Sequence, residues 1–134
     1  MALPVDKFNP RFVYILHFTG HPGQEFSRVF GILGNAKAAW SETFQALDAM
    51  RRIATHHGDV IERNQLHPLV VAVLAAVKNL RSSVTKNALL CLGDLFRGLG
   101  RRMDAELVTI LPSLLKKCAD TNKFVKAEAQ KVRL

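Results

Sequence analysis

Cysteine is scarce in this chain: Cys91 and Cys118 are the only two in 134 residues. Neither lies in a CxxC or another ligand-spaced group, so no disulfide framework is implied and a reducing compartment is expected. No apolar run approaches the roughly 18–20 residues that span a bilayer, and no membrane partner is expected. Asp6, Asn9 and Arg11 interrupt any signal-peptide pattern at the N-terminus, so a soluble, intracellular protein is expected. There is no Gly-rich phosphate loop and no paired acid–base motif, which leaves catalysis and a bound cofactor without support. The one group that invites a metal reading is His56–Asp59, HHGD. Adjacent residues on a helix point in different directions and no third ligand is near, so solvated histidines at a helix end are the better reading. His67 is expected at the surface, and Asp94 is expected to pair or to be solvated.

What is present is apolar content and positive charge. Hydrophobic residues make up 49% of the chain, enough for a continuous core, and the formal charge is +8. That charge favours an acidic partner: nucleic acid, an anionic membrane surface or an acidic protein. Charge alone does not choose among them.

The segment Asn79–Gly100, NLRSSVTKNALLCLGDLFRGLG, reads as a polar turn followed by an amphipathic helix. Val84, Ala88, Cys91 and Leu95 form its apolar stripe, widened by Leu92, Phe96 and Leu99. Ser82 or Ser83 is a candidate cap, and Gly98 and Gly100 are stop signals. A step of 41 residues (Val84 to Val125) returns the pattern: Ala88 falls on Ala129 and Cys91 on Val132. Upstream, Leu66, Val70, Val73, Leu74 and Val77 fall on Leu107, Leu111, Leu114, Leu115 and Cys118. A helix pair recurring at roughly 40–47 residues is the signature of HEAT or armadillo arrays. The fold class is therefore all-α, a short solenoid of HEAT-like helix pairs. Because both cysteines align with valines, both are expected in its core.

The array is assigned to residues 24–134, with repeats at about 24–58, 64–100 and 104–134, and residues 1–23 form an N-terminal extension. Phe12, Tyr14, Leu16 and Phe18 in that extension fit a short strand or a partly buried helix, and His21–Pro22–Gly23 reads as a turn. The helices of the first repeat are placed near Gln24–Ala36 and Trp40–His57. Asn64 is a candidate cap for the second repeat and Asp104 for the third. A turn at Ala119–Asn122 is expected to lead into a last, short helix.

The step also aligns Trp40, Arg81 and Asn122, each where the turn within a repeat enters the second helix. Neighbouring repeats stack at helix-packing distance, roughly 8–10 Å, so these positions should form a ladder along one edge. Ser82 and Lys86 belong to the second rung and Lys123 and Lys126 to the third, while Lys37 lies near the first. Trp40 either begins the apolar stripe of Phe44 and Leu47 or is an exposed anchor of the kind enriched at interfaces. Each basic residue alone reads as an ordinary solvated turn, whereas together they favour an anionic partner surface. A single aromatic argues against a nucleic-acid stacking platform.

These residues resemble TOG domains, the HEAT-type tubulin-binding modules of microtubule regulators, and the crescerin (TOGARAM) branch in particular. AWSETFQALDAMRRIATHH is similar to that branch's first repeat. NLRSSVTKNALLCLGDLF, MDAEL, LLKK and TNKFVKAEAQKV are similar to its second and third. The likeness covers about residues 38–132, the length of the first three of a TOG domain's six repeats. It departs at Ala39, where an acidic residue is usual. The resemblance implies non-catalytic binding of αβ-tubulin or microtubules by the turn edge. Trp40 then stands for the first-turn tryptophan, Arg81 lies in the second turn, and Asn122 and Lys123 lie in the third. It also implies a cytoplasmic, cytoskeletal location, at the cilium or axoneme, no specific nucleic acid, and a monomer. The alternative is a HEAT-like scaffold for a different acidic partner.

Overall fold

The computed structural model describes residues 21–132. The expected strand or helix around Phe12–Phe18 lies outside them. Among the described residues five α-helices are formed: α1 (Pro22–Leu33), α2 (Trp40–His56), α3 (Arg63–Val77), α4 (Ser82–Leu99) and α5 (Leu107–Val132). A single 3-10 turn, Gly58–Val60, joins α2 to α3, and a longer 3-10 segment, Gly100–Glu106, joins α4 to α5. No strand occurs among the described residues.

The local chemistry that sets the ends differs from expectation in several places. His21–Pro22–Gly23 is not a turn; His21 is the N-cap of α1 and Pro22 its first residue, where the missing N–H costs nothing. Glu62, not Asn64, caps α3, and its N–H donates to Gln65 Oε1 at 3.1 Å in a capping box. Neither Ser82 nor Ser83 caps α4. Arg81 holds the N-cap position, and its N–H donates to Asn79 Oδ1 at 2.9 Å. Asp104 lies inside the 3-10 segment that runs directly into α5. Gly98 does not stop α4, which continues to Leu99 and ends at Gly100 in the positive-φ region, φ 56°.

Phe26 and Val29 of α1 enter one core with Leu47, Met50 and Ile53 of α2, Leu69, Val70 and Val73 of α3, and Val84, Ala88, Cys91 and Leu95 of α4. The two second helices, α2 and α4, make the most extensive contact among the described residues. They run side by side in the same direction, as four levels of contact show. Arg81 lies over Trp40, Asn87 Nδ2 donates to the Phe44 carbonyl at 3.1 Å, and Arg51 pairs with Asp94 at 2.7 Å. At the fourth level a Cβ on Gly98 would overlap the Ala54 carbonyl. Residues a repeat apart thus touch along the whole pair, as a stacked HEAT register requires.

The third repeat departs from the expectation. The turn at Ala119–Asn122 is not formed, and α5 is one helix of 26 residues running through Pro112 and through the expected turn. Its first part packs against α3 and the 3-10 segment. Ile110 is buried and Leu114 partly so, while Leu111 and Leu115 are exposed. Cys118, expected in the core, is exposed too. The physical reason is that, among the described residues, no second helix lies on that side of α5 to bury the stripe.

Candidate functional site

Trp40 is the first residue of α2 and Arg81 immediately precedes α4. Because α2 and α4 stack in parallel, their N-terminal ends come together, and the Arg81 guanidinium carbon sits 4.2 Å from the centre of the Trp40 ring. This is cation–π geometry. Trp40 remains 42% exposed: it is neither a core residue nor a free one, but an aromatic plate held by a cation from the next repeat. Below it is an open concavity of about 380 Å³ lined by Trp40, Ser41, Phe44, Gln45 and Ser83. Phe44, half-buried, is its floor against the core.

The second turn is stiffened beyond the contribution of Asn79. Thr85 Oγ1, one turn into α4, donates within 3.1 Å of the Val77 carbonyl and 3.0 Å of the Asn79 carbonyl. This ties the end of α3 to the start of α4 and fixes Arg81 between them. Ser82 and Lys86 are exposed on the first turn and a half of α4, beside Arg81 in sequence. The first turn is built similarly: the Lys37 N–H donates to Asn35 Oδ1 at 3.0 Å, and Lys37 is exposed. Rungs one and two of the expected ladder are therefore brought together.

The third rung is placed differently. Asn122, Lys123 and Lys126 are exposed, but within the continuous α5 and not at a turn between helices. Asp94, expected to pair or to be solvated, is buried and is held by both Arg51 and Arg97. Arg51 also donates to Asn87 Oδ1 at 2.8 Å. This buried polar chain was not legible from spacing, because Arg51 and Asn87 are polar residues with no motif to mark them and pairing was only one of two expectations for Asp94. Their one signal is the near-repeat separation of Arg51 and Asp94, 43 residues. Burial, reinforced by the Asp94 carboxylate and opposed by Arg51, pushes the neighbouring Cys91 thiol up to about 12. His67, exposed as expected, brings Nδ1 within 2.8 Å of Glu106 Oε1. His56 and His57 lie edge to face with ring centres 6.5 Å apart, and no cluster of three metal-ligating side chains occurs among the described residues.

Comparison with known proteins agrees with this architecture. The family model described as CLASP N terminal matches residues 32–132. The mouse "TOG array regulator of axonemal microtubules protein 1" is 38% identical over 92 residues, 69% of this chain and 5% of that protein. Its human counterpart is 37% identical over the same share of each. The "Crescerin-like protein che-12" of Caenorhabditis elegans is 29% identical over 91 residues, 67% of this chain and 7% of that protein. The chain thus spans about a twentieth of the length of the mammalian relatives it matches. No solved structure matches it.

Proposed function

The chain belongs to the CLASP N-terminal family, as a TOG-type helical domain of the crescerin kind, and from that premise we propose that its turn edge binds αβ-tubulin without catalysis. The observation that carries the proposal is the Trp40–Arg81 stack at 4.2 Å. A tryptophan offered by one repeat and stiffened by a cation from the next is a flat, half-exposed anchor. It pays little conformational entropy on binding, as interface hot spots require. Around it Lys37, Arg81 and Lys86 add positive charge of a sign suited to an acidic protein surface. On this reading Trp40 makes the apolar contact, Arg81 both holds Trp40 and meets the acidic surface, and Ser82 and Lys86 extend the polar rim.

Residues 24–134 are read as the first repeats of a TOG array, with Asn122, Lys123 and Lys126 exposed along the continuous α5 and outside the paired edge. The mouse and human relatives are named as regulators of axonemal microtubules, which supports a cytoskeletal, ciliary setting for this chain.

The test is co-migration of the chain with unpolymerised αβ-tubulin in size-exclusion chromatography, with Trp40→Ala and Arg81→Glu beside the wild type. A complex lost in both variants while their thermal melts hold supports the proposed edge. Binding unchanged by both substitutions sinks it and favours a different acidic partner or a different face. Binding that weakens steeply with salt but ignores Trp40→Ala would indicate non-specific charge attraction instead.

A further inference from the structure

The first half of α5 exposes Leu111 and Leu115 along one stripe with Cys118. Their counterparts one repeat earlier, Val70, Leu74 and Val77, are all buried. In repeat two a second helix, α4, follows the turn and packs back on α3. The chain carries the corresponding segment for repeat three: by the 41-residue step, Val125, Ala129 and Val132 hold the positions of Val84, Ala88 and Cys91. In the continuous α5 that segment is carried away from the stripe it is patterned to cover. Ala119 through Lys123 are exposed, so no packing against the rest of the molecule fixes the straight conformation there.

We propose that the uncovered stripe is filled by the same half-helix of a second copy of this chain. The two α5 helices lie antiparallel about a two-fold axis near Ala119–Asn122. Residues 123–132 of each chain rest on the Leu111–Leu115–Cys118 stripe of the other. A second copy is the fitting occupant because the complement of the stripe is already written in this chain, at the register that α4 keeps on α3. The geometry allows the exchange to be reciprocal: the expected turn lies at the middle of the 26-residue helix, so the halves on either side of it match in length. A two-fold pairing closes on itself and leaves neither stripe open. It is a hinge exchange, in which a segment that turns within a monomer straightens to join two. Both halves are basic, with Lys116 and Lys117 before the hinge and Lys123 and Lys126 after it. Salt should therefore strengthen the pairing by screening that repulsion.

Light scattering coupled to size exclusion, at tens of micromolar chain in low and high salt, tests this. The expected result is twice the monomer mass, with the dimer fraction rising with salt. Two glycines inserted after Asp120 restore a turn and should give a monomer; Leu115→Glu should also give a monomer, with a melt equal to that of dilute, monomeric wild type because Leu115 is exposed in the single chain. A wild-type monomer under both salt conditions overturns the proposal. So does a dimer that survives both the insertion and Leu115→Glu, since it would be built on another face.

Discussion

Leu74 and Leu115 hold the same place in successive repeats, yet Leu74 is 5% exposed and Leu115 68%. Nothing in their own helices explains this, for both sit on an apolar stripe of the same spacing in a helix that opens a repeat. The difference lies in what faces them. Among the described residues α3 is flanked by α1, α4 and α5, whereas the main contacts of α5 are with α3 and the 3-10 segment. In a stacked array burial belongs to the pair and not to the helix. The comparison teaches that a hydrophobic pattern reports the capacity to be buried, and that the neighbour decides whether it is.

The largest effects should come from breaking the packed side. Asp94→Ala leaves the buried Arg51 cation with the neutral Asn87 acceptor and should cost about 3–5 kcal/mol, read by denaturant unfolding. Gly98→Val should be of the same order or prevent folding, since its side chain must displace the Ala54 carbonyl at the closest approach of α2 and α4. No equivalent substitution in the second half of α5 should approach this.

The matched leucines sharpen the contrast directly. Leu74→Ala should destabilise by about 2–5 kcal/mol, while Leu115→Ala should stay within about 0.5 kcal/mol in the monomer. Equal losses at the two sites would mean that the third repeat is packed after all.

The cysteines make the same comparison chemically. At mildly alkaline pH, Cys118 should react with a thiol reagent at the rate of an exposed cysteine, and Cys91 only as fast as the chain opens. The raised Cys91 pKa carries a sign for stability. Between the ordinary value of 9.0 and about 12 the unfolded chain sheds a proton that the folded one keeps. The thiol's contribution is thus complete below pH 9 and is lost as pH climbs through that window. Unfolding midpoints of wild type and Cys91→Ala should converge over it if no other group intervenes.

The smallest expected effect is at the functional edge. Arg81→Ala removes an exposed cation–π contact worth about 0.5–1 kcal/mol, so its melt should barely move while tubulin binding falls. A large drop in stability would instead make Arg81 a structural residue and weaken its role at the edge.

Much of the fold was legible. The 41-residue step, the positions of α2, α3 and α4, and the alignment of Trp40 with Arg81 all follow from residue order, because helical periodicity is local and repeats copy it. Helix ends were read less well. Asn64, Ser82 and Asp104 have the chemistry of caps, but Glu62 with Gln65, and Asn79 acting on Arg81, satisfied the free N–H groups first. The turn at Ala119–Asn122 was misplaced because its polar residues permit a turn without compelling one. In repeat two the Thr85 hydroxyl donates to the Val77 and Asn79 carbonyls, and a step of 41 from Thr85 finds Lys126, whose donors sit at the end of a flexible four-carbon stem and not on a short hydroxyl.

By itself, then, the sequence determined the class of fold, the repeat length and which residues could share an edge, since these depend on periodicity and on side-chain type. Only the tertiary structure decided that Trp40 is a half-exposed plate under Arg81, that Gly98 is a point of helix contact and not a stop, that Asp94 is buried between two arginines, and that Cys91 and Cys118 part company. The first three turn on a neighbour some forty residues away and the last on whether such a neighbour is there, which local spacing does not encode.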